Sequence, residues 1–120
     1  MERKISATEI RENLARFSGT ENFYKERIGD FIYTDGVRYM AEACGAYWLL
    51  TDVGIQSKAL TAKTDFIKIV ITCCNEKGNV EYSDGNGNLL HAHEYLYSDF
   101  PLEILSMYFV NNTLLLPSEY

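Results

Sequence analysis

The sequence predicts an α+β fold, with N-terminal helices packed on one face of an antiparallel β-meander of about five strands. Two observations carry that expectation. Val37, Met40, Ala41, Cys44 and Trp48 recur at three- and four-residue steps, the spacing that places apolar residues on one face of a helix. Beyond about residue 65 the period falls to two, with Ile67, Ile69, Ile71 and Cys73 alternating with their neighbours, as in a half-buried strand. A chain of 120 residues fits a single domain. Its helical half covers about 6–57 and its sheet half about 65–117.

The first helix starts at a capping-box pattern, Ser6 with Glu9 three residues on. Ile10, Leu14 and Phe17 give it an apolar side, and Ser18-Gly19-Thr20 stops it. Thr20 is expected to cap a second short helix carrying Phe23, Tyr24, Arg27 and Ile28, ended by Gly29-Asp30. Thr34 or Asp35 caps the organising helix, in which Arg38 and Glu42 stand four apart on the outer side. Gly45 is a C-cap or kink. Tyr47 to Ile55 continues as another helix ending near Gly54 to Ser57, with Trp48 expected as a core anchor.

Residues 57–64 read as the connection between halves. Phe66 to Cys73 is the first strand of the meander. Asn75-Glu76-Lys77-Gly78 is a hairpin turn, with Gly78 expected at positive φ. A short strand through Val80 and Tyr82 follows, then the turn-forming Asp84-Gly85-Asn86-Gly87-Asn88. In the strand Leu89 to Tyr97, Leu90, Ala92 and Leu96 are expected inside, and His91, His93, Tyr95 and Tyr97 on the opposite, solvated face. Pro101 interrupts the ladder. Ile104 to Val110 and Leu114 to Leu116 form the last two strands around an Asn111-Asn112 turn, and Pro117 ends the second.

Composition narrows the functional classes. The net charge of −6 argues against a general nucleic-acid binder, which needs a basic face to displace counterions. No apolar run reaches the ~20 residues of a membrane span, and Met1-Glu2-Arg3-Lys4 opens no signal region, so a cytoplasmic location is expected. Three cysteines, two of them adjacent, read as reduced thiols. Nine tyrosines favour a recognition surface.

Chemistry-bearing patterns are sparse. His91-Ala92-His93 puts two imidazoles on one side of a strand, but a catalytic zinc site wants three protein ligands. Asp84, Cys73 or Cys74 would have to supply the third. Asp84 to Asn88 opens like a calcium loop and then fails, with Leu89 and Tyr95 where Gly and Glu belong. The triplet Tyr-[Ser/Thr]-Asp occurs at Tyr33, Tyr82 and Tyr97, where short polar side chains cap and start turns. There is no G-x-S-x-G, phosphate loop or C-x-x-C. No cofactor and no resident metal are expected.

Several stretches together resemble a family of small bacterial proteins of unknown function, found largely on phages, plasmids and integrated conjugative elements. They are Phe17 to Tyr24, Tyr33-Thr34-Asp35-Gly36-Val37, Ala46 to Leu50, Asp84-Gly85-Asn86-Gly87, Tyr97 to Leu102 and Leu116-Pro117-Ser118-Glu119-Tyr120. The resemblance implies an accessory role on a mobile element and brings no catalytic residues. The expected function is a non-enzymatic protein-binding module, with inhibition of a host defence system such as a CRISPR nuclease as one role. His91, His93, Tyr95 and Tyr97 are its candidate binding residues. The rival expectation is a small metal-dependent or nucleophilic enzyme using His91 and His93. A third is a homodimer through the Tyr-bearing face.

Overall fold

A computed structural model of the chain describes residues 6–18, 22–95 and 100–120. Helix α1 (Ala7–Leu14) is followed by strands β1 (Phe23–Glu26) and β2 (Phe31–Thr34), then helices α2 (Asp35–Cys44) and α3 (Tyr47–Leu60). Strands β3 (Phe66–Cys74), β4 (Lys77–Ser83), β5 (Leu89–Tyr95), β6 (Ile104–Val110) and β7 (Thr113–Leu115) complete the chain with a 3-10 turn at Pro117–Glu119. The α+β class is as expected. The sheet is not a five-strand meander: it has seven strands in the order β1-β2-β7-β6-β3-β4-β5. All pairs are antiparallel except β2 with β7, where Ile32 faces Thr113 and Tyr33 faces Leu114.

The expected helix at Phe23 to Ile28 is instead half of a hairpin. Phe23 pairs with Thr34 and Glu26 with Phe31. Phe23 and Ile28 are both exposed in that hairpin. Three apolar or aromatic positions in six residues, Phe23, Tyr24 and Ile28, fix neither period, and pairing with β2 decides the outcome. Strands therefore begin well before residue 65, and α3 runs on to Leu60, through the first half of the stretch read as a linker.

Because β7 is antiparallel to β6 and β6 to β3, strand β3 runs parallel to β2. The α2–α3 pair is the crossover between them, which places these helices on one face of the sheet. That face supplies Ile67, Ile69, Ile71, Val80, Met107, Phe109, Leu114 and Phe31, all buried. Ile69 lies opposite Met107, and Ile67 opposite Phe109. The helices answer with Val37, Met40, Ala41, Leu49, Leu50 and Val53, and α1 with Ile10 and Leu14.

Local signals read from the sequence hold at most boundaries. Ser6 Oγ accepts from Glu9 N–H at 3.2 Å, and Thr34 Oγ1 accepts from Val37 N–H at 3.4 Å. Gly45 ends α2 in the left-handed conformation at φ 62°. The Asn111-Asn112 turn carries two positive φ angles, as a two-residue hairpin requires. The other hairpin places them at Asn75 and Glu76, with Gly78 already inside β4.

Trp48 departs from expectation. It is 41% exposed and not a core anchor. The left-handed residue at Gly45 breaks the helical register, so a stripe extrapolated from Val37 cannot be carried past it. The buried side of α3 is Leu49, Leu50, Val53, Gly54, Ser57 and Leu60, and Trp48 falls beside it. Ser57 Oγ is buried with no hydrogen-bond partner among the described residues. Ser57→Ala is expected to raise stability by about 1 kcal/mol, since a buried hydroxyl without a partner carries its full desolvation cost; an unchanged or lowered melting temperature would contradict this.

Candidate functional site

Strand β5 forms one end of the sheet. Its register with β4 sets His93 opposite Val80 and His91 opposite Tyr82. Directly opposed residues of an antiparallel pair share a face, and Val80 and Tyr82 belong to the buried side. His91, His93 and Tyr95 therefore point toward the helices, not away from them. Ala92, expected inside, is exposed. The cause is a register shift between Tyr82 and Ser83; one extra residue in a strand moves every side chain beyond it to the other face. Leu90, beside this irregularity, still packs against the core. Leu96 and Tyr97 lie outside the described residues.

The helices do not reach far enough to cover β5. A groove of about 230 Å3 remains there, lined by Asp52, Ile55 and Gln56 of α3, Tyr82 of β4, and His93 and Tyr95 of β5. Trp48, Asp52, Ile55 and Gln56 stand at helical steps, so α3 presents them as one stripe. Tyr95 Oη donates to Asp52 Oδ2 at 3.0 Å. The Trp48 and Tyr95 rings meet edge to face at 5.5 Å, and the His93 ring meets Tyr95 at 4.4 Å. Tyr82 is tilted against His91 at 5.7 Å.

These contacts keep both groove phenols protonated. Burial pushes the Tyr95 phenol well above its usual range, and the Asp52 carboxylate adds to it. Burial does the same for Tyr82, with smaller contributions from Tyr95 and Asp52. A folded-state pKa raised above the unfolded value near 10 contributes stability that is intact below that pH and is lost as pH rises beyond it. Stability is therefore expected to fall above about pH 10, and less steeply in Tyr82→Phe, as read by denaturant melts across the alkaline range. Equal slopes for the two proteins would contradict the assignment.

The residues named from the sequence for metal or nucleophilic chemistry do not converge. Among the described residues no group of three or more His, Cys, Asp or Glu could hold a metal ion. Asp84 is committed to its own turn: Oδ1 accepts from the Asn86 and Asn88 amides at 2.8 and 2.9 Å, and Oδ2 from the Asn88 side chain at 3.0 Å. Those hydrogen bonds, the Asn88 side chain first, hold its carboxyl below the usual range. Burial pushes the Cys44 thiol up to about 12, the opposite of an activated nucleophile. The groove presents an aromatic pair, an imidazole and one carboxylate. Sequence reading named His93 and Tyr95 as binding residues, but on the opposite face of the strand, and did not so name Asp52, Ile55, Gln56 or Tyr82, which line the same groove. The four-residue step from Trp48 to Asp52 carries their signal, and it is hidden when Trp48 is assigned to the buried stripe running on from Val37.

A second cluster joins the chain's distant ends. Glu119, 8% exposed, accepts from Thr34 Oγ1 at 2.7 Å, from Gly36 N–H at 3.1 Å and from Leu116 N–H at 3.1 Å. A carboxylate at the first turn of α2 satisfies free amides and complements the helix dipole. Asp35 works beside it, taking the Tyr24 hydroxyl at 2.8 Å and the Asn22 amide at 3.1 Å.

A family model described as a family of unknown function (DUF6876) matches residues 8–120. The chain belongs to that family. No curated protein and no solved structure shows significant similarity to it. Membership in DUF6876 assigns no chemistry to the groove. Within the matched range, Tyr33 to Val37 and Leu116 to Tyr120 meet in the Glu119 cluster. No helix among the described residues is long and apolar enough to cross a membrane.

Proposed function

We propose that this protein is a non-enzymatic protein-binding module that engages its partner through the groove between α3 and β5. The observation that supports this most is the half-exposed Trp48 set against Tyr95, on the same stripe of α3 as the accessible Ile55, beside a strand at the end of the sheet. Trp and Tyr dominate interface energetics because they bury large area at low entropic cost. The raised Cys44 thiol and the engaged Asp84 turn favour binding over catalysis. The mobile-element setting implied by the motifs makes a host protein, including a nucleic-acid-guided defence nuclease, the first partner class to screen.

The test is capture of a partner by immobilised protein, compared between the parent, Trp48→Ala and Ile55→Glu. Trp48→Ala is expected to weaken binding on the order of 30-fold, since an interface Trp contributes about 2 kcal/mol. A partner bound equally by all three proteins, or none recovered by any of them, would defeat the reading. Light scattering on the free protein checks whether that partner is a second copy.

A further inference from the structure

We propose that the groove receives an arginine side chain carried on an extended segment of the partner, and that this segment adds to the sheet along the outer margin of β5. The proposal rests on the binding-module reading above and names the chemistry of its partner. Among the described residues no strand pairs with that margin of β5. In an antiparallel pair alternate residues direct their N–H and C=O groups away from the partner strand, so half of the β5 backbone faces outward, with no strand partner among the described residues. An added strand satisfies those groups, and its side chains then supply specificity. Every second side chain on it points to the helix side of the sheet, where His93 and Tyr95 stand.

The groove's own chemistry selects a flat cation. Asp52 gives one carboxylate oxygen, Oδ2, to Tyr95, which leaves Oδ1 for a donor from outside. No lysine or arginine among the described residues pairs with Asp52. Trp48 and Tyr95 flank it with aromatic surface. A guanidinium meets both demands, because its flat face stacks on rings while an N–H at its edge donates to the remaining oxygen, whereas an ammonium is compact and strongly hydrated. An acidic or purely apolar occupant would cover Asp52 without a counter-charge, which is costly. The chain's net charge of −6 also steers a cationic segment toward it.

Trp48 is the single tryptophan of the chain, so its emission reports directly on the groove. The probe is a blocked peptide of sequence Thr-Val-Arg-Val-Thr, titrated beside its citrulline counterpart, which keeps the shape and lacks the charge. The expected result is a saturable change in Trp48 emission with the arginine peptide, and binding weaker by on the order of tenfold or more with citrulline. Asp52→Asn is expected to abolish that preference at an unchanged melting temperature, while Glu94→Gln, on the opposite face of β5, preserves it. Equal binding of the two peptides, a preference that survives Asp52→Asn, or no emission change with the arginine peptide would each overturn the proposal. The two readings fail separately. If partner capture depends on Trp48 but the peptides are not distinguished, the module stands and the arginine assignment falls. If capture is indifferent to Trp48 while the peptides are distinguished, the reverse holds.

Discussion

Gly54→Ala is expected to destabilise the protein by about 3 kcal/mol, a cost at the upper end of that for overpacking a filled core. Gly54 sits on the buried side of α3, directly over Phe31. A Cβ built there would overlap three atoms of the Phe31 ring, Cζ, Cε1 and Cε2. The ring cannot retreat easily. It is fully buried, meets Phe109 edge to face at 6.2 Å, and is hemmed on another side by Gly29. An alanine inside a helix is normally favourable by about 1 kcal/mol over glycine, so intrinsic propensity predicts the opposite sign and the measurement separates the two effects. Combining Gly54→Ala with Phe31→Leu is expected to recover part of the loss, because a smaller side chain leaves room for the methyl. A melting temperature equal to or above that of the parent in Gly54→Ala alone would show that α3 does not approach β2 this closely.

The second large effect is expected at Glu119→Ala, which should cost about 3 kcal/mol, the range for leaving several buried donors without an acceptor. The Thr34 hydroxyl and the Gly36 and Leu116 amides would all lose their partner at once. For a domain of this size the drop in melting temperature is on the order of 10 °C. Glu119→Gln should fall between parent and alanine. It keeps an acceptor for Thr34 and Leu116 but turns an NH2 group toward the Gly36 amide. Gly36→Ala attacks the same cluster from the other side, since a Cβ there would collide with Glu119 and Leu116. Thermal melts decide the matter: Glu119→Ala and Glu119→Gln melting together with the parent would mean the carboxylate is not holding the helix start.

Much of the local architecture was legible because its causes are local. Thr34 and Gly45 mark the ends of α2 by short-range capping, and the alternation of Ile67, Ile69 and Ile71 identifies β3 with its buried side. What the sequence hid was non-local. The parallel seam between β2 and β7 has no signature in either short strand, and the hairpin at Phe23 to Thr34 depends on partners, not on propensity. The candidate site shows the same division. His93 and Tyr95 were singled out as a polar-aromatic strand, but the side they face follows from the irregularity near Tyr82 and Ser83, which strict alternation cannot anticipate. Trp48 was misplaced because a helical phase was carried through a residue that ends the helix.

The β2–β7 seam also governs how the molecule must assemble. Thr34 and Glu119 meet across 85 positions of chain, so this half of the sheet closes only after a long loop has surrendered its freedom. Contacts of such high order slow the search for the native state. A chain that has formed its helices, the β1–β2 hairpin and the β6–β3–β4–β5 ribbon but not yet seated β7 presents two unsatisfied strand margins, one on β2 and one on β6, to any neighbour at high concentration.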